Sequence, residues 1–167
     1  MGEAARLLRL AAPEPDLFRG VIACAAFLSP DASFKDKNIF IYGLVGDEDF
    51  NYSEYRRGFG LLEKTKTPFW IEIYKGVHQW PPKEKIYDAI EMFDYWHQKN
   101  GEGKGFAQAE KIIKNRMTLI EQLLTQKAWV HASSAIDSLL RNFDSNPLVD
   151  QIKVLRKKID DLPEYQA

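Results

Sequence analysis

Two polar turns carry the side chains best suited to acid–base chemistry. Gly46, Asp47, Glu48 and Asp49 follow one apolar run directly, and His78 lies just after another. A carboxylate that reaches one nitrogen of an imidazole fixes its tautomer and stabilises the imidazolium form. Because both turns follow runs of strand length, Asp49 and His78 are the candidates for such a catalytic pair.

Two alternatives to this pairing stay open. Asp47 is the rival acid if the turn is shifted along the chain, whereas we expect Glu48 to point to solvent. A glycine–aspartate pair after a strand is also common turn chemistry, and a single histidine in such a place carries no catalytic meaning alone. We base the pairing on the two turns occurring together, in this order.

The sequence offers no nucleophile to accompany these two residues. We expect Ser29, Ser33 and Ser53 to lie in loops or at a helix start, and the later serines belong to a helical region. Cys24 lies inside an apolar run, where a small core residue is expected. As the single cysteine, it excludes both an internal disulfide and a cysteine-based zinc site.

The other two histidines have ordinary structural explanations. His97 is predicted to end a helix, where a partly charged imidazole suits the helix dipole. His131 is predicted within a helix and has no spaced carboxylate or histidine as a fellow metal ligand. We therefore expect no metal ion and no cofactor.

Three apolar runs are predicted to be the strands that position Asp49 and His78. They span residues 20–27, 38–45 and 69–74 and are apolar at nearly every position. This pattern is typical of strands that are covered on both faces, as in parallel sheets.

Helices are predicted around these strands. An amphipathic helix over residues 3–12 precedes them, one over residues 53–64 begins at Ser53, and one over residues 82–98 has proline in its first turn. Strands alternating with helices indicate a parallel α/β sheet.

A glycine-rich linker separates this region from an all-helical tail. Residues 100–105 contain three glycines and no apolar residue. Beyond the linker, helices are predicted over residues 106–126, 129–142 and 148–162. They resemble a helical hairpin of the tetratricopeptide sort, but that family's repeat period is absent, and a plain helical bundle is the better description.

The order of the two turns resembles the α/β-hydrolase superfamily. In that family the triad runs nucleophile, acid, histidine along the chain, each on a turn at the carboxyl end of a strand. The Gly-x-x-Asp turn ending at Asp49 resembles the acid turn, and the Gly-x-His-x-Trp-Pro-Pro segment around His78 resembles the histidine loop. This loop is most similar to that of serine esterases related to dienelactone hydrolases and polyhydroxybutyrate depolymerases.

The resemblance implies a fold class and a domain organisation. We expect an α/β fold, the C-terminal portion of an α/β-hydrolase sheet with three parallel strands and flanking helices, followed by an all-α helical tail. Residues 1–99 would form the partial α/β-hydrolase domain, residues 100–105 the linker, and residues 106–167 the tail.

The resemblance also implies a function. Gly2 matches the last glycine of the family's Gly-x-Ser-x-Gly elbow, so the nucleophile serine is expected just before Met1. The parent enzyme would hydrolyse a carboxylic ester or a peptide through an acyl-enzyme, and this chain alone is expected to be inactive. Trp80 is expected either to wall the substrate pocket or to anchor the following helix in the core.

Composition narrows the possible partners. The net charge is −1, with basic and acidic residues interspersed, so the chain has no basic face for nucleic acid. Its longest apolar run, residues 20–28, is too short to span a membrane. We expect an ester or peptide substrate in the parent, and a protein partner or self-association through an unpaired strand edge and the helical tail. The alternative function is a non-catalytic protein-interaction module that uses this tail.

Overall fold

A computed structural model describes residues 18–26, 39–100 and 105–163. The chain divides into two compact units, Met1–Phe93 and Asp94–Ala167.

Several predicted features lie outside the described residues. They are the helix over residues 3–12, the serines Ser29 and Ser33, the match to the elbow at Gly2, and most of the predicted linker.

The first unit is built on a three-stranded parallel sheet. Its strands are β1 (Gly20–Cys24), β2 (Phe40–Gly46) and β3 (Phe69–Tyr74), in the order β1-β2-β3. Helix α1 (Tyr52–Leu62) connects β2 to β3, and α2 (Lys83–Asn100) follows β3. The predicted α/β architecture, with parallel strands, flanking helices and a helical C-terminal region, is confirmed.

The start of α1 differs from the prediction. The helix begins at Tyr52 after the N-cap residue Asn51, so Ser53 lies in the first turn and does not cap the helix. The Asn51 side chain makes no cap hydrogen bond, and its Nδ2 group donates to the carbonyl of Ala25.

The central strand β2 is covered on both faces, because side chains alternate between the two faces along a strand and every residue of β2 is buried. One face forms a hydrophobic core with α1. Its buried residues are Ala23, Ile41, Val45, Tyr55, Leu62, Phe69 and Ile71. On β2 and β3, the alternate positions carry the aromatic pair Tyr42 and Trp70, whose rings stack with their centroids 6.2 Å apart.

A buried carboxylate accompanies this aromatic pair. Glu72 accepts a hydrogen bond of 2.6 Å from the Tyr42 hydroxyl and forms an ion pair with Lys85 at the start of α2. These partners compensate for the cost of burying its charge.

The second unit is helical. It contains the last turns of α2, then α3 (Gly105–Thr125), α4 (Trp129–Asn142) and α5 (Val149–Asp160). Helix α4 packs against both α3 and α5. The fully buried side chains at the centre of this unit are Ile113, Ile120, Ala132, Ile136, Leu139, Ile152 and Ile159.

The helices do not have the character of membrane spans. Within the described part of the chain, none of them is both long enough and apolar enough to cross a bilayer.

Candidate active site

The turns after β2 and β3 lie side by side. Gly46 and Tyr74 are register partners, so the two parallel strands end at the same edge of the sheet. Their pairing continues into the turns, because the Asp47 amide donates to the Tyr74 carbonyl and the Glu48 amide to the Gly76 carbonyl, each at 2.9 Å. A Cβ atom on Gly46 would lie 2.2 Å from the Gly76 oxygen. This close approach therefore requires glycine.

Asp49 and His78 are in direct contact at this edge. The His78 Nδ1 atom lies 3.0 Å from one carboxylate oxygen of Asp49 and 3.2 Å from the other. An ionised carboxylate only accepts hydrogen bonds, so Nδ1 carries the proton and Nε2 is the basic nitrogen of the neutral ring. Among the described residues, Asp49 is the sole hydrogen-bond partner of the imidazole.

Burial differs sharply between the two side chains. The Asp49 carboxylate has no exposed surface, whereas 42% of the His78 side chain is exposed. The buried carboxylate also accepts a hydrogen bond of 2.8 Å from the backbone amide of Asn51. Because a buried polar group is costly unless it is hydrogen-bonded, these two donors compensate for the burial of the Asp49 side chain.

The end of β1 is hydrogen-bonded to the start of α1, which directly follows the acid turn. The Asn51 side-chain amide donates to the Ala25 carbonyl at 2.7 Å, and the Tyr55 hydroxyl donates to the Ala23 carbonyl at 2.6 Å. Burial raises the pKa of Tyr55 far above its ordinary value, so this hydroxyl stays protonated. Ala25 has a φ of 52°, which is unusual for a residue other than glycine. Such strain persists only where neighbouring contacts enforce it.

Tyr74, the last residue of β3, binds the histidine loop just beyond His78. The Tyr74 hydroxyl donates to the Gln79 carbonyl at 3.0 Å. Burial raises the pKa of Tyr74, and the negative charge of Asp49 adds to this increase. Its hydroxyl therefore remains a proton donor at neutral pH.

Two exposed aromatic residues lie in these turns. The Phe50 ring contacts the His78 imidazole, with centroids 4.1 Å apart and planes tilted by 34°. Phe50 is 73% exposed and Trp80 is 82% exposed. The prediction that Trp80 could anchor a helix in the core is therefore wrong, because its indole is not buried. Its role in walling a substrate pocket stays a prediction.

The alternative acid does not contact the histidine. Asp47 directs one carboxylate oxygen to the Gly76 amide at 2.9 Å, and no contact to His78 accompanies it. Glu48 is exposed, as expected. Sequence reasoning missed Phe50 and Asn51, although both immediately follow the acid and could have been proposed as its neighbours.

Within the described part of the chain, the remaining candidates make no hydrogen bond to Asp49 or His78. Cys24 ends β1 as a free thiol whose pKa is raised by burial, which disfavours a reactive thiolate. His97 contacts the Trp96 ring in the last turn of α2. Ser133 and Ser138 are buried in α4. The described residues hold no group of three or more His, Cys, Asp or Glu side chains that could bind a metal ion.

Comparison with known proteins gives no family assignment. A scan against protein-family models and searches of curated proteins and solved structures found no match to this chain.

Proposed function

We propose that Asp49 and His78 are the acid and the histidine of a serine-hydrolase triad of the α/β-hydrolase type. The observation that carries this proposal is the 3.0 Å contact between a half-exposed imidazole and a fully buried carboxylate. The order of elements supports it, because one helix and one strand separate the two turns, as in the family topology.

In the proposed reaction His78 acts as the general base. With its Nδ1 proton held by Asp49, Nε2 accepts the proton of a serine hydroxyl as the serine oxygen attacks an ester or peptide carbonyl. The same proton then passes to the leaving group, and an acyl-enzyme remains. Water hydrolyses the acyl-enzyme with His78 again as base. Asp49 stabilises the imidazolium that forms in each step.

A purely structural salt bridge explains this arrangement less well. Removing a carboxylate from water costs free energy that its attraction to a single cationic partner often does not repay. Burying one carboxylate completely in order to hold a half-exposed imidazole therefore adds little to stability. The same arrangement orients Nε2 for proton transfer, which is the need that a triad meets.

The nucleophile is proposed to be a serine on an elbow that precedes Met1. The 167-residue chain alone is accordingly expected to show only background hydrolysis of p-nitrophenyl acetate and no labelling by a fluorophosphonate probe. Restoring the in-frame codons upstream of Met1 should produce labelling.

Variants of the extended protein test the two roles. His78→Ala should abolish labelling, and Asp49→Asn should slow it by about 10⁴-fold, as loss of the orienting carboxylate does in serine proteases. Glu48→Gln is the matched control, because this exposed side chain on the same turn makes no contact with His78. Labelling of the 167-residue chain itself, or an extended protein that encodes no elbow and stays unlabelled, would contradict the proposal.

The alternative function uses the helical tail as a protein-interaction module. Among the described residues of the tail, Val130 and Val154 are the exposed large apolar side chains, at 53% and 57% exposure. If the extended protein proves unreactive, substituting these two valines by lysine is the next test of partner binding.

A further inference from the structure

We propose that Asp47 is a positioning residue that holds the histidine loop in register with the acid turn. It would keep His78 within hydrogen-bonding distance of Asp49 without touching the imidazole itself. This inference rests on the proposed function and assigns a third residue, Asp47 of the acid turn, to the same site.

The histidine loop is held at Gly76, two residues before His78. The Gly76 amide donates to the Asp47 carboxylate at 2.9 Å, and the Gly76 carbonyl accepts from the Glu48 amide at 2.9 Å. Gly76 is thus held to the acid turn through both its backbone amide and its backbone carbonyl. Of these two bonds, only the one to Asp47 depends on a side chain.

The type of side chain matters for this contact. A carboxylate that accepts from a backbone amide forms a charge-assisted bond, which is about twice as strong as a neutral one. Gly46, directly before Asp47, brings the two backbones so close that a Cβ atom would collide with the Gly76 oxygen. The missing Cβ permits the close approach of the two turns, and the Asp47 carboxylate holds them in contact.

Loss of the Asp47 contact should loosen the loop without unfolding it. The Glu48–Gly76 bond and the bond from Tyr74 to Gln79 would remain. Small displacements nevertheless matter in an active site, since a shift of about 1 Å can cost about 10²-fold in rate.

The test compares three variants of the 167-residue chain by NMR, at a concentration where sedimentation velocity shows the chain to be monomeric. The readouts are the hydrogen-bonded Nδ1 proton of His78, its ring ¹⁵N shifts, and the exchange rate of the Gly76 amide. Asp47→Ala should shift the neutral ring away from the Nδ1–H tautomer and accelerate Gly76 exchange by at least about tenfold. Asp47→Asn keeps an acceptor and should largely preserve the Nδ1 proton.

Glu48→Ala is the matched control. It lies on the same turn, and its contact with Gly76 uses the backbone amide, so all three readouts should match the unmodified chain. Circular dichroism checks that each variant is folded. If Asp47→Ala does not fold, Asp47→Asn carries the test, because its weaker neutral acceptor should make Gly76 exchange faster than in the unmodified chain. Unchanged Gly76 exchange in Asp47→Asn would then overturn the inference.

Two results would overturn the inference. One is a folded Asp47→Ala variant with accelerated Gly76 exchange but an unchanged Nδ1 proton, which would reduce Asp47 to a local turn contact. The other is a folded Glu48→Ala control that loses the Nδ1 proton as fully as Asp47→Ala does, which would show that the effect is not specific to the Asp47 side chain. Failure of the proposed function has a different signature, namely an intact Asp49–His78 bond in an extended protein that does not react with fluorophosphonate.

Discussion

The imidazole of His78 is held by a carboxylate that solvent does not reach, and this pairing was predictable from residue types. Asp49 and His78 were identified because each follows an apolar run by a short polar turn. The contacts around them were not predictable, since they depend on the conformation of the turns. The Asp47–Gly76 bond and the Phe50–His78 ring contact belong to this second class.

The exposure of Trp80 leads to a prediction about stability. Trp80→Ala should change the free energy of unfolding by no more than about 0.5 kcal/mol, because an exposed indole loses little packing. Trp70→Ala is the matched control. It removes a buried indole and should cost about 3–5 kcal/mol. Urea denaturation measures both, and a large loss for Trp80→Ala would restore the core-anchor interpretation.

At the level of elements, strand β3 has the bounds that the sequence predicts, whereas β1 ends earlier. The apolar run continues to Phe27, but β1 ends at Cys24 because the next residue, Ala25, adopts a left-handed conformation. Apolar pattern alone cannot reveal this bend, which is accompanied by hydrogen bonds from Asn51 and Tyr55.

Two glycines should respond oppositely to alanine. Gly46→Ala should destabilise the fold by about 1–3 kcal/mol, because its Cβ meets backbone atoms of the neighbouring turn. Gly60→Ala in α1 should stabilise it by about 0.5–1 kcal/mol, because its Cβ meets open space and alanine favours the helix. Thermal or urea denaturation distinguishes the two. Equal effects would contradict the close approach at Gly46.

At the scale of the whole molecule, the sheet has an edge at β1. Within the part of the chain that the structure describes, β1 pairs only with β2. An unpaired parallel strand presents backbone donors and acceptors to other chains.

This edge predicts self-association. We expect the purified 167-residue chain to form oligomers at tens of micromolar, roughly the range where exposed edges associate. Sedimentation velocity measures this, and the upstream-extended protein provides the comparison, with less association expected. A monodisperse monomer of the 167-residue chain would count against an available edge.

Alkaline pH should weaken the fold. Burial raises the pKa of Tyr55 above that of an unfolded tyrosine, about 10. The contribution of protonated Tyr55 to the free energy of unfolding is therefore fully present below about pH 10. It is lost as the pH rises further, because the unfolded chain releases the tyrosine proton more readily than the folded chain does. Tyr55→Phe should reduce this alkaline loss of stability, and exposed Tyr87→Phe should not. Urea titrations at pH 8 and pH 11 provide the measurement.

The acid and the histidine both belong to one β2-α1-β3 segment and the turn that follows it. This continuity has an evolutionary consequence. Recombination at any point outside residues 40–80 transfers the pair as a unit, together with the strand pairing that brings it together. Under the proposed function, a lineage could therefore exchange the segment that supplies the nucleophile, or lose it, while inheriting the Asp49–His78 pair intact.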